Sequence, residues 1–357
     1  MSPRSIARSA AATGALLGLG AAVSFGLSAP LAKWLLGEVS PVLLAGLLYL
    51  GAAAGLWLVH VVRPRTEEAR LQRSDLPRLA SIVLSGGVLG PVAMLFGLTH
   101  VSALTGSLCL NLEAPFTVLL AVLVFGEHLG RQAALGVAII LGGALLLGFG
   151  SDGSAALGDA PGALLIAAAC LCWALDNNLT QQLSVRDPFA IVRIKTLVAG
   201  MTNTLLGLWF QRGAVPSAGF VAGALLLGSV SYGLSVVLDT YALRLVGAAR
   251  EAAYFATAPF IGALAAVLLF GEPLRGLDAS AMAAMALGVL VLLAERHQHW
   301  HTHEALEHEH LHHHDEHHEH THAPGTPLGE PHSHRHHHGG LMHDHPHLPD
   351  AHHRHEH

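Results

Sequence analysis

Three ionisable side chains, Glu113, Asp176 and Lys195, stand inside long apolar runs of this 357-residue chain. A charge at the centre of a bilayer costs about 2.5–3.5 kcal/mol on insertion scales, so residues kept there have a purpose. Glu113 falls near the middle of its run, too deep to snorkel to either surface. A carboxylate at that depth can bind a proton and exchange it for a cationic or zwitterionic solute. Asn177 and Asn178 follow Asp176, and Asn203 lies about two turns from Lys195 on a similar face. Glu113, Asp176, Asn177, Lys195 and Asn203 are therefore expected to line one cavity for substrate and coupling ion. The structural alternative is a network in which Lys195 neutralises one carboxylate and the asparagines satisfy the rest. Asn111 is two residues from Glu113 and faces away from it, toward a neighbouring helix. Asp239, Arg250 and Glu251 fall near the ends of their runs and read as interface residues.

Pro30, Pro91, Pro115 and Pro259 interrupt apolar runs. Proline inside a helix removes a hydrogen bond and kinks it. At Pro30, Pro115 and Pro259 the expected effect is to shape the cavity. The three cysteines, Cys109, Cys170 and Cys172, also lie in apolar runs and read as small packing residues.

A second kind of chemistry is confined to the C-terminal end. Residues 297–357 hold 25 of the 28 histidines and almost no apolar run. The sets are His297, His299, His301 and His303, then His312, His313 and His314, then His336, His337 and His338, then His343, His345 and His347. Imidazole suits zinc, nickel, copper and cobalt. With no fixed ligand set, several weak, exchangeable sites are expected, and no cofactor is required. A segment this polar has no core to fold around and is expected to be disordered without metal. Charge divides at the same point. Residues 1–296 carry 17 basic and 15 acidic side chains, and the tail carries 2 and 10.

The elements that must position the intramembrane residues are helices. About 20 apolar residues are needed to cross the hydrocarbon core. Ten such stretches run at about 11–36, 41–62, 78–99, 101–125, 131–149, 161–181, 188–211, 219–242, 247–270 and 277–295. Short links make neighbours antiparallel. Arg4 and Arg8 before the first run resemble a secretory signal, but the run is too long for one and reads as a membrane span. Arginines concentrate in alternate loops, with Arg63, Arg65, Arg70, Arg73 and Arg78 in one of them. Lys33, Arg212 and Arg275 are the basic residues on the other side. The bias puts both termini in the cytoplasm.

The chain repeats itself. Ala114-Pro115-Phe116 leads to Phe125-Gly126-Glu127, and Ala258-Pro259-Phe260 leads to Phe270-Gly271-Glu272. Trp173 falls in the sixth span where Phe25 falls in the first. Two five-helix halves follow, over 1–149 and 161–296, joined by a loop at 150–160 and followed by the tail at 297–357. Five is odd, so the second half is inverted relative to the first, the layout of an alternating-access transporter.

On these motifs the chain resembles the EamA branch of the drug/metabolite transporter superfamily. The resemblance covers residues 11 to about 295. It implies an all-α membrane protein and secondary transport in a bacterial inner membrane, usually efflux of small metabolites. One position departs from it. Arg193 follows Pro188 as a basic residue often does in the family, but Gly46 stands at the corresponding place after Pro41.

Three functions fit these residues. The first is export of a small organic metabolite, with the tail as an accessory. The second is export of a divalent cation such as nickel, cobalt or zinc, gathered by the tail. Against it, His60, His100 and His128 all sit at span ends. The third is metal buffering by a membrane-anchored tail. The partners implied are a lipid bilayer, a small-molecule substrate and divalent metal ions, and a homodimer is left open. No phosphate-binding loop, zinc-protease helix or nucleophile elbow marks an enzyme, and no basic face marks a nucleic-acid partner.

Overall fold

In the computed structural model the described residues are 3–62, 69–126, 129–147, 160–183, 186–210, 216–246 and 248–294, with the tail segments 300–302, 306–312, 332–338 and 342–344. Nine helices among them are long and apolar enough to cross a membrane. They are α1 (Ala12–Leu35), α2 (Pro41–Val62), α3 (Arg73–Leu98), α4 (Ala103–Leu123), α6 (Ala160–Gln181), α7 (Pro188–Phe210), α8 (Ala218–Leu243), α9 (Arg250–Phe270) and α10 (Gly276–Leu293). The remaining apolar helix, α5 (Arg131–Leu147), is shorter, at 17 residues. Large apolar side chains point outward all along these helices, among them Trp57, Leu145, Trp209 and Leu268. That is the surface a bilayer requires.

Contacts between helix ends sort them onto two faces. On the near face, where α1 begins, Arg186 pairs with Asp75 at 2.9 Å and Arg78 donates to Gln182 at 3.0 Å. Gln132 there donates to the Val291 carbonyl at 3.1 Å. On the far face, Lys33 at the end of α1 donates to the carbonyls of Leu98 and Val101, at 2.7 and 2.5 Å. Successive helices therefore run up and down.

The helix pairs carry the symmetry of the repeat. α2 packs on α7, α5 on α10, and α4 on α9, each pairing a helix with its own counterpart. α1 packs on α8, and their counterparts α6 and α3 pack on each other. The core is built at these crossings from small residues. Gly46 lies so close to the Thr204 backbone of α7 that a β-carbon would overlap it. A basic side chain has no room there, which accounts for the departure from the family pattern.

Several helices are broken. α1 turns at Leu27, three residues before the buried Pro30. α4 passes through a 3-10 turn at Leu110–Leu112, just before Pro115. α9 is interrupted between Phe255 and Ala258, just before Pro259. The repeat-paired prolines thus sit at matching breaks. Two further distortions match as well: π-helical turns at Val83–Leu89 in α3 and Ser229–Leu234 in α8.

Four short segments of the tail are described. β1 (Trp300–Thr302) pairs with β4 (Met342–Asp344), and β2 (Leu306–His312) with β3 (His332–His338), both antiparallel. His301, His312, His336, His337, His338 and His343 lie on these strands. His297, His299, His303, His313, His314, His345 and His347 lie outside the described residues.

Candidate functional site

The site forms where the broken part of α4 meets α6. The 3-10 turn ends at Leu112, and Glu113 opens the next helical segment. Its Oε1 accepts a hydrogen bond from Asn177 Nδ2 on α6, at 2.8 Å. Glu113 is half-buried and Asn177 is exposed, so this pair meets the surroundings at mid-span. Asn178, the next residue of α6, is buried and donates to the Thr117 carbonyl at 3.1 Å, holding α6 against α4.

Asp176 lies on the other side of Asn177 and is 3% exposed. Its Oδ2 is 2.6 Å from Lys195 Nζ on α7, and its Oδ1 accepts from Thr180 at 3.1 Å. A buried ion pair of this quality cancels its own charge. Removing one partner strands the other in a poorly solvated place. Glu113 is within electrostatic reach of both Asp176 and Lys195, but has no ion-pair partner among the described residues. Glu113 is therefore the carboxyl group of the cluster without a cation of its own among the described residues.

The π turn of α3 completes the floor. A π turn frees a carbonyl from the helical ladder. Here the Gly86 carbonyl accepts from Tyr49 at 2.9 Å and from Trp173 Nε1 at 3.0 Å. Gly86 itself abuts the Asp176 carboxylate with no room for a β-carbon. Tyr49 packs on Tyr232 of α8 with ring centroids 5.7 Å apart, Tyr232 meets Phe25 of α1 edge-on at 5.8 Å, and Phe25 meets Phe255 of α9 at 5.3 Å. This aromatic chain links α2, α8, α1 and α9 across both halves.

The structure brings Glu113, Asp176, Asn177 and Lys195 together. Asn203 is fully buried about two turns beyond Lys195 on α7, where it donates to the Gly87 carbonyl of α3 at 3.3 Å. Pro30 and Pro115 are buried at their breaks, and Pro259 is half-buried. Asn111 faces away from Glu113, 3.8 Å from the Met285 sulfur on α10. The three cysteines are free thiols. Asp239 and Glu251, read separately as interface residues, lie on α8 and α9 within electrostatic reach of each other. Among the described residues no three His, Cys, Asp or Glu side chains gather as a metal site.

Tyr49, Tyr232 and the Gly86 carbonyl escaped the reading of charge and proline. Two signals pointed to them. A tyrosine hydroxyl buried in an apolar span must find an acceptor. Ser85-Gly86-Gly87 and Ser231-Tyr232-Gly233 also repeat one pattern in the two halves.

Comparison with known proteins places the chain in a family. The chain is 31% identical over 279 residues to an uncharacterized transporter of Methanothermobacter thermautotrophicus, covering 73% of this chain and 81% of that one. It is 35% identical over 182 residues to an uncharacterized protein of Pseudomonas aeruginosa, covering 51% of this chain and 62% of that one. A solved crystal structure at 21% identity superposes with a TM-score of 0.58, over 78% of this chain and 96% of the other, and shares the fold. The EamA-like transporter family matches twice, over residues 12–149 and 160–294, and the chain belongs to that family.

Proposed function

We propose that the protein is a secondary active transporter of ten membrane spans that exports a small organic metabolite by alternating access. The near face, with both termini, is read as cytoplasmic from its arginine-rich loops, and the membrane as a bacterial inner membrane. The observation that carries the proposal is the difference between the two carboxyl groups at the α4–α6 contact. Asp176 is buried and neutralised by Lys195. Glu113 is half-buried at mid-span, held by an amide and without an ion-pair partner among the described residues. It is the group able to trade a proton for a cationic or zwitterionic solute. Asn177 orients it, and the Asp176–Lys195 pair holds α6 and α7 in place beneath it. The helix breaks at Pro30, Pro115 and Pro259 leave the spans discontinuous near this level, as transporter binding sites require. The histidine tail serves as an accessory that collects nickel, zinc, cobalt or copper in weak sites.

Glu113→Gln keeps the shape of the side chain and its bond to Asn177 while removing the charge. Everted vesicles carrying this variant should lose proton-driven accumulation across a panel of amines, amino acids and their analogues, with normal insertion and yield. Wild-type rates with an unchanged pH profile would make Glu113 structural and end the proposal.

A further inference from the structure

The far face is held by a contact that the charge reading passed over. α9 ends at Gly271, which has the left-handed backbone of φ 64°. That turn sends Glu272 back toward the first half of the chain. One carboxylate oxygen accepts from the Ala103 N–H and the other from the Leu104 N–H, both at 2.8 Å. These are the first two N–H groups of α4. The third, of Thr105, is taken by its own N-cap, Ser102, at 3.0 Å. The end of one half thus supplies acceptors that the start of the other lacks, with the favourable charge for a helix N-terminus.

The same device is written into the first half. Phe125-Gly126-Glu127 ends α4 as Phe270-Gly271-Glu272 ends α9. Gly126 has φ 75°, and it and Gly271 are the glycines of positive φ among the described residues. Neither has a neighbour within 4 Å of a would-be β-carbon, so backbone conformation alone calls for glycine at both. The helix start that corresponds to Ala103 is Ala248, which opens the first segment of the ninth span. Glu127 itself lies outside the described residues.

Packing around α4 differs at its two ends. Its far-face segment packs on α9 and on the end of α1, whereas its near-face segment, Glu113–Leu123, packs on α6 and α5. The near-face segment of α9 packs on α1, α8 and α10. The two halves are therefore clasped at the far face along α4 and α9.

Resting on the alternating-access reading above, we infer that Glu272 is a positioning residue that latches the far-face gate shut. It holds the start of α4 while that gate is closed and yields those N–H groups to water when the gate opens.

Electron–electron distance measurements on the full chain test this, with Cys109, Cys170 and Cys172 replaced. Labels at Thr99 and Leu274, both exposed on the far face, report one gate. Labels at Leu123 and Arg250, exposed at the near face, report the other. Glu272→Gln should raise the long-distance population of the far-face pair roughly tenfold, the loss expected for one charge-assisted hydrogen bond. Ser102→Ala, which removes a cap internal to α4, should leave both distributions unchanged. Should Glu272→Gln fail to fold, Glu272→Asp keeps the charge but shortens the reach and should shift the far-face pair in the same direction. If the near-face pair switches while the far-face pair ignores Glu272, the contact is a fixed brace and the latch is wrong, with alternating access intact. If neither pair moves in any variant or with proton loading, alternating access fails and takes the latch with it.

Discussion

The two halves share a frame and differ in chemistry. Both carry Ala-Pro-Phe at a helix break, Phe-Gly-Glu at a helix end and a π turn in the preceding span. Yet the residue before Ala-Pro-Phe is Glu113 in the first half and Thr257 in the second. Thr257 bonds back to the Tyr254 carbonyl at 2.6 Å and engages nothing across the helix interface. Aligned on Trp173 and Phe25, Asp176 corresponds to Ser28, and aligned on Pro188 and Pro41, Lys195 corresponds to Leu48. The symmetric parts are the helix breaks, π turns and helix ends. The asymmetric parts are the charged side chains inside the spans. A two-state machine needs matched hinges, whereas a site that recognises one solute has no use for a second copy.

Exchanging the chemistry between halves is the strongest way to break this comparison. The double variant Glu113→Thr/Thr257→Glu preserves composition and moves the carboxyl group to the other half. Vesicle transport should fall to the level of empty membranes, because Asn177 and the Asp176–Lys195 pair stay behind. Transport at the wild-type rate would show that either half can host the charge.

The next effect is on stability. Lys195→Met leaves Asp176 buried without its cation and should cost about 3–5 kcal/mol. Adding Asp176→Asn should recover most of that loss, as read from thermal unfolding in detergent. Equal melting of the single and double variants would deny that the pair is coupled.

Smaller again is Gly86→Ala. The new methyl meets the Asp176 carboxylate, and such overpacking costs about 1–3 kcal/mol. Gly223→Ala in α8, with open space at its β-carbon, is the control and should melt like the parent or slightly higher. Identical behaviour of the two would mean that α3 and α6 give way freely.

The smallest effect belongs to the tail. Truncation after Arg296 should shift melting by less than about 0.5 kcal/mol. Organic-solute export in metal-free medium should be unchanged. The isolated tail should bind nickel at pH 7.5 and release it near pH 5.5, since a protonated imidazole cannot be a ligand. Loss of solute export on truncation would tie the tail to the pathway.

Much of this was readable in advance, for reasons that differ by element. Helices made of Leu, Ala, Val and Gly announce themselves by length, so most span limits fall within a few residues of the structure. α3 starts earlier than expected, at Arg73, because a capped turn at Arg73–Asp75 continues into the helix despite its charges. The breaks near Pro30, Pro115 and Pro259 follow from proline chemistry. Glu113 and Asn177 were both marked as polar residues inside apolar runs, whereas their hydrogen bond depends on how α4 and α6 cross. The π turns did not show, because one inserted residue leaves no mark on an all-apolar pattern. The task of Glu272 was hidden for another reason. Its partners are backbone N–H groups, which carry no side-chain signature, so a charge at a helix end reads as an ordinary surface residue. Asn203 was placed by face and spacing, which ignored that small residues bring α3 and α7 into contact around it.

The donation of Trp173 to the Gly86 carbonyl has an optical consequence. Trp34, Trp57 and Trp209 are 64–81% exposed on the apolar surface, whereas Trp173 is 7% exposed. Brominated acyl chains should quench the first three and spare Trp173, which dominates the residual emission once truncation after Arg296 has removed Trp300. An indole whose N–H is held by a carbonyl of the π turn changes colour if that bond is lost. The truncated protein therefore carries its own fluorescent gauge of the α3–α6 joint, readable in reconstituted bilayers without attaching a label.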